Sequence, residues 1–94
     1  MKKTKKIDNI NELEFAVFCI ENVAKKLGVG ADMVYKLFSE KSDILNGYII
    51  PEYDILHTQS KEYIVDDILD LMRERNVGIW FYIMDLILVL RLQT

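Results

Sequence analysis

Between Leu13 and Leu27 the chain places apolar side chains at Leu13, Ala16, Val17, Ile20, Val23, Ala24 and Leu27, while Phe15, Phe18 and Cys19 widen the stripe. Spacings of three and four put these residues along one side of a helix. No other feature constrains the fold as tightly. A helix apolar over so much of its circumference needs neighbours on more than one side, within the domain or from a second copy. Asn11 followed by Glu14 resembles a capping box and Gly28 supplies a stop, so the predicted helix runs from Glu12 to Leu27.

After the Gly28-Val29-Gly30 turn, Ala31 to Ser39 reads as a second helix with Met33, Val34, Leu37 and Phe38 inward and Asp32 at its positive end. Ser42 to Leu45 suits one further helical turn, closed by Asn46-Gly47, a pair that tolerates positive φ. Tyr48, Ile49 and Ile50 are expected to be extended, because a residue before proline avoids the α region. Pro51 fits the first position of a short helix through Leu56. A long helix then begins near Thr58 or Ser60, either of which can cap it. Ile64, Val65, Ile68, Leu71 and Met72 form its buried stripe, and Glu62, Asp66, Asp70 and Glu74 repeat every four residues on another, solvated side.

The last segment is different in character, since between Val77 and Leu92 only Gly78, Asp85 and Arg91 are not apolar. Periodicity does not choose between helix and strand in so uniform a run. A membrane-spanning helix wants about 18 to 20 apolar residues, and Asp85 lies near the middle of this shorter run, so burial in a core or a self-interface is favoured over membrane contact through residues 77–92. The expected organisation is a basic arm over 1–10, a helical domain over 11–76 and an apolar extension over 77–94. The fold class is all-α: a small bundle of three principal helices joined by short helical turns.

Charge narrows the function. The net charge is −3, and four of the twelve basic residues, Lys2, Lys3, Lys5 and Lys6, lie in the first six positions, leaving eight cations against fifteen acids in the rest. The body is acidic and the arm short, terminal and expected to be mobile. This balance disfavours a broad phosphate-binding surface. It bears on "VAKKLGVGADMVYKLF", Val23 to Phe38, which has the small residue, turn glycine and buried β-branched residue of a helix-turn-helix at Ala24, Gly28 and Val34. A DNA-binding regulator using residues 24–38 is therefore the alternative reading. Against it, the second helix offers Lys36 as its only cation, carries Asp32 where phosphates would approach, and presents Tyr35 as its main contact, where major-groove readers usually place Arg, Lys, Asn or Gln. The spacing is explained by two helices packing across a tight turn.

Catalytic and metal chemistry have little to stand on. The lone Cys19 precludes an internal disulfide and fits a reducing cytoplasm, and no Cys/His spacing suggests zinc. Glu12, Glu14 and Glu21 interrupt or flank the apolar stretch after the lysine run, so it is not read as a signal peptide. Cys19 between Phe18 and Ile20 reads as a buried thiol rather than a nucleophile. His57, just before a helix start, reads as a local hydrogen-bonding or packing residue. Asp66, Asp67 and Asp70 lack a glycine-bearing calcium loop. No enzyme, cofactor or metal is expected.

The segments "LEFAVFCIENVAKKLGV", "VYKLF" and "YIIPEYDILHTQSKEYIVDDI", followed by the acidic helix, resemble the small bacterial Domain of Unknown Function 3791 family over about Leu13 to Glu74. The stretch from Tyr48 through "LHTQ" to "EYIVDDI" carries most of the likeness. The resemblance implies a short stand-alone cytoplasmic protein without an assigned activity, encoded beside ADP-ribosyltransferase-like proteins, and hence a partner or antitoxin-like role. Ser60 stands where the family has glycine, and the family pattern stops near Arg75, leaving the run from Val77 unmatched. The functional reading from sequence is a non-catalytic protein-protein interaction module, with self-association open. Its candidate surface is His57, Thr58, Gln59 and Tyr63 around the last helix start, with Asp66 and Asp70 as partner contacts.

Overall fold

The computed structural model of the protein describes residues 4–77, and these are all-α. Four α-helices and one π-helical turn follow one another: α1 (Ile10–Leu27), α2 (Ala31–Ser39), the π turn (Leu45–Ile49), α3 (Tyr53–Leu56) and α4 (Lys61–Glu74). Of the extension expected over residues 77–94, residues 78–94 lie outside the described residues.

The start of α1 uses the expected chemistry two residues early. Asn9 is the N-cap, its Oδ1 accepting from the Glu12 amide at 2.8 Å, and Glu12 reaches back to accept the Asp8 amide at 3.1 Å. Asn-x-x-Glu occurs in both registers, and the earlier one wins because it also gives Glu12 a cation: Lys5 Nζ lies 2.9 and 2.7 Å from its two carboxylate oxygens. Glu12 is thereby buried with its charge matched, as a buried carboxylate requires. At the other end Gly28 adopts φ 71°, ψ 34°, and the Gly28 and Val29 amides return to Lys25 and Ala24 carbonyls, closing the helix with a left-handed residue.

Phe15, Ala16, Cys19, Ile20, Val23 and Ala24 form the buried face of α1. They meet Val34 and Phe38 of α2, Ile64, Val65, Ile68, Leu69 and Met72 of α4, and Ile44, Leu45, Ile49, Ile50 and Leu56 from the intervening turns in one hydrophobic cluster. The stripe is narrower than its sequence suggests: Leu13 and Val17 are each 45% exposed. On α4, Leu71 is half-buried and Leu69 joins the buried set. α2 has the expected bounds and inward face, with Val34 and Phe38 fully buried.

The segment before Pro51 departs from expectation. Instead of an extended Tyr48-Ile49-Ile50, the chain makes a π turn whose Ile50 amide donates to the Leu45 carbonyl at 3.0 Å, and Ile50 itself is right-handed helical at φ −74°, ψ −46°. The steric bias of a residue before proline is outweighed because helical backbone lets Ile49 and Ile50 both enter the core, at 0% and 1% exposure, each burial stabilising by about 1.5–3 kcal/mol. Gly47 is needed for space rather than for positive φ: a Cβ there would sit 2.7 Å from Asp43 Oδ2.

The arm is tied down from Lys5 onward, unlike the mobile arm expected. The Lys5 amide donates to the Asn46 carbonyl at 2.7 Å and Asn46 Nδ2 donates to the Lys5 carbonyl at 2.9 Å, across 41 positions. Ile7 packs against the core. The Glu12 carboxylate, then Asp8, hold the Lys5 ammonium above its ordinary pKa, and Lys5 in turn holds the Asp8 carboxyl below its own.

α4 opens at Ser60, whose Oγ accepts from the Tyr63 amide at 3.1 Å, and closes at Asn76, φ 52°, where the Val77 amide returns to the Met72 carbonyl at 3.0 Å. Val77 is buried. Two side-chain pairs lock α4 to the π-turn region: the Tyr48 hydroxyl donates to Asp67, and Arg75 donates to Asp43.

Candidate functional site: the α3–α4 corner

The corner between α3 and α4 is a single wound turn. The His57, Thr58 and Gln59 amides donate to the Tyr53, Ile55 and Leu56 carbonyls, after which Ser60 starts α4. With these three amides bonded back into the preceding turn, the corner displays its side chains on an ordered frame.

His57 is exposed, and its position is set by two contacts with Tyr53. The rings stack with centroids 4.4 Å apart and planes 9° apart, and His57 Nδ1 lies 2.7 Å from the Tyr53 carbonyl. A carbonyl only accepts, so Nδ1 carries the proton and Nε2 is the outward nitrogen. Tyr53 in turn packs edge-on against Phe15 at 5.4 Å, and Phe15 stacks with Phe18 at 6.2 Å. A row of aromatic rings thus runs from α1 out to His57. The Tyr53/His57 spacing of four carries this signal in the sequence, though Tyr53 is absent from the predicted site.

Thr58 Oγ1 donates to the Ile55 carbonyl at 2.8 Å, and Gln59 is exposed. Beside them two large apolar side chains face solvent: Ile55 at 63% and Tyr63 at 53% exposure. Tyr63, Asp66 and Asp70 follow along one side of α4 at helical spacing, all exposed, and Asp70 pairs with Arg73 at 3.3 Å. The predicted residues therefore fall into a corner group, His57 to Gln59, and a stripe, Tyr63-Asp66-Asp70, with Ile55 added to the first.

Asp66 also reaches a hollow of ≈ 340 Å³ between the last turns of α1 and the first turns of α4, lined by Asn22, Lys25 and Lys26 on one side and Lys61, Glu62, Val65 and Asp66 on the other. The two helices therefore run antiparallel. At the opposite end a chain of contacts passes from Arg75 through Asp43 to the π turn, then through Asn46 to Lys5 and Glu12. The end of α4 is thus at the start of α1.

Cys19 is fully buried, and desolvation pushes its thiol up to about 12, so at neutral pH it is protonated. It is enclosed in the core while His57 is on the surface. Burial and the hydrogen bond to Asp67 likewise raise the Tyr48 hydroxyl above its ordinary pKa. Among the described residues no group of three or more His, Cys, Asp or Glu side chains is placed to hold a metal, and no helix is long and apolar enough to cross a membrane.

The sequence profile of a family described as a protein of unknown function, DUF3791, matches residues 14–75, which include most of α1 and all of α2, the π turn, α3 and α4. The chain belongs to this family. No protein of curated function and no solved structure matches it.

Proposed function

We propose that the protein is a non-catalytic interaction module whose α3–α4 corner docks another protein. The observation that carries this reading is the pair of large apolar side chains, Ile55 and Tyr63, held out to solvent beside a corner whose His57, Thr58 and Gln59 amides bond back into the preceding turn. Aromatic anchors on a rigid support, rimmed by polar groups, are the common anatomy of a docking surface. His57, Thr58 and Gln59 supply the polar rim. Asp66 and Asp70 give the neighbouring stripe a negative edge that favours a partner with a basic patch.

A catalytic reading has less support, since Cys19 is enclosed and protonated and the Nδ1 proton of His57 is committed to its own turn. The DNA-binding reading of residues 24–38 has less as well: α2 exposes Asp32, Tyr35 and Lys36, a single cation among them. We read the module as cytoplasmic, and an antitoxin-like partnership with a neighbouring gene product is one form the docking takes. A photo-crosslinking side chain at position 63, introduced in the native cell, is expected to trap a discrete protein adduct, while one at exposed Glu40 on the far end of α2 gives none. Adducts to nucleic acid alone, or none at 63, would contradict the proposal.

A further inference from the structure

We propose that the hollow between the last turns of α1 and the first turns of α4 binds a small hydroxylated phosphate monoester, its phosphate held by Lys25, Lys26 and Lys61. The hollow measures ≈ 340 Å³, at the lower end of the size range of small-ligand sites, and buried Val65 supplies an apolar part of its lining.

The gathering of charge is the first observation. These lysines are three of eight cations in a body that holds fifteen acids, yet the antiparallel packing of α1 and α4 brings all three to one hollow. Among the described residues none of the three is ion-paired, and neither are Glu62 and Asp66 of the same lining. Like charges gathered without a counter-charge repel one another, and an anion placed between them relieves that repulsion.

Lys61 also runs against its local setting. It is the first residue of α4, at the positive end of the helix, where an acid is favoured, and it gains no ion pair in return. Choices that oppose local stability without a compensating contact concentrate at functional positions. At the same end the Lys61 and Glu62 amides have no backbone acceptor among the described residues, which adds N–H donors of the kind that hold phosphate oxygens.

The remaining lining distinguishes the head of the ligand from its body. Asn22 Nδ2 donates to the Phe18 carbonyl at 2.8 Å, leaving Oδ1 as an acceptor, and the Glu62 and Asp66 carboxylates only accept. Ammonium groups and acceptors around one hollow match a molecule with an anionic head and a body of hydroxyl groups. Lysine holds phosphate as a point charge, and a phosphate monoester presents three acceptor oxygens, one to each ammonium. Inorganic phosphate leaves the acceptors unused beside two carboxylates, so it binds less well.

Titration of the isotope-labelled full chain with ribose 5-phosphate, glucose 6-phosphate and inorganic phosphate, followed by amide chemical shifts, tests the site. At least one sugar phosphate is expected to give saturable shifts at Asn22, Lys25, Lys26 and Lys61 to Asp66, with inorganic phosphate weaker by about tenfold. Lys25→Gln with Lys61→Gln, both at exposed positions, should weaken the sugar phosphate by about tenfold or more. Lys36→Gln with Lys41→Gln removes the same charge from exposed positions elsewhere and should weaken it by less than about twofold. Glu62→Ala with Asp66→Ala should narrow the gap between the sugar phosphate and inorganic phosphate. Shifts that do not saturate with either sugar phosphate, equal losses in the two lysine pairs, or inorganic phosphate binding as tightly as both sugar phosphates would overturn the proposal.

Discussion

Removing the Tyr48 hydroxyl tests how the π turn is held against α4. In Tyr48→Phe the half-buried ring keeps its packing, but Asp67 loses its donor. Hydrogen bonds to charged groups contribute about 1.5–3 kcal/mol, and the partial exposure of both partners lowers the expected loss to about 1 kcal/mol. Asp67→Ala, which removes the acceptor, should cost a similar amount, and the double variant little more than either, giving a coupling energy of about 1 kcal/mol in a double-mutant cycle. Urea unfolding followed by circular dichroism at 222 nm measures all four. The same pair predicts a pH dependence. The folded-state pKa of Tyr48 is raised above its ordinary value, so the contribution is fully present below about pH 10 and is lost as pH rises beyond it. The difference in stability between wild type and Tyr48→Phe should therefore shrink between pH 9 and the strongly alkaline range, while other titrating groups cancel in the comparison. Additive single variants, or a difference that does not change with pH, would refute the assigned link.

Other outcomes follow from the same framework. Phe38→Ala, at a fully buried position, should destabilise by about 3–5 kcal/mol, close to the whole stability of a small domain, as seen in urea unfolding. Ser60→Ala removes the acceptor that caps α4 and should cost about 1 kcal/mol, with Gly28→Ala costing about as much through a left-handed backbone rather than a lost bond. Cys19 should react with a thiol reagent only at the rate at which the core opens, so labelling of the native protein should accelerate in urea in step with unfolding.

Where local chemistry decides, the fold was readable along the chain. The bounds of α2, the glycine stop of α1 and the Ser60 cap of α4 all follow from capping and helical spacing within a few residues. The Asn-x-x-Glu cap was readable as a type but not in register, because the choice of Asn9 over Asn11 depends on Lys5 reaching Glu12. Pairings between residues distant in sequence left no local trace: Lys5 with Asn46, Tyr48 with Asp67, and Asp43 with Arg75 are 19 to 41 positions apart. The helical Ile50 defeats a sound steric rule because two buried isoleucines outweigh it. At the candidate site, His57 was expected to bond or pack locally and does, through Tyr53, whereas Thr58, one of two expected caps of α4, leaves that place to Ser60 and bonds Ile55. What sequence did not reveal was that Ile55 stands exposed beside them together with Tyr63, since apolar residues near a helix start are more often buried.

The central claim is that the α3–α4 corner binds a protein partner. It is tested most directly by purifying the protein under native conditions at its own expression level and weighing the eluate by light scattering, for wild type and for Ile55→Ser with Tyr63→Ser. Both substitutions are at exposed positions and should leave the circular dichroism melt within a few degrees of wild type. The predicted result is a stoichiometric protein complex for wild type and a free chain for the variant. A wild-type protein recovered as a bare monomer, or a complex that survives both substitutions intact, would contradict the account.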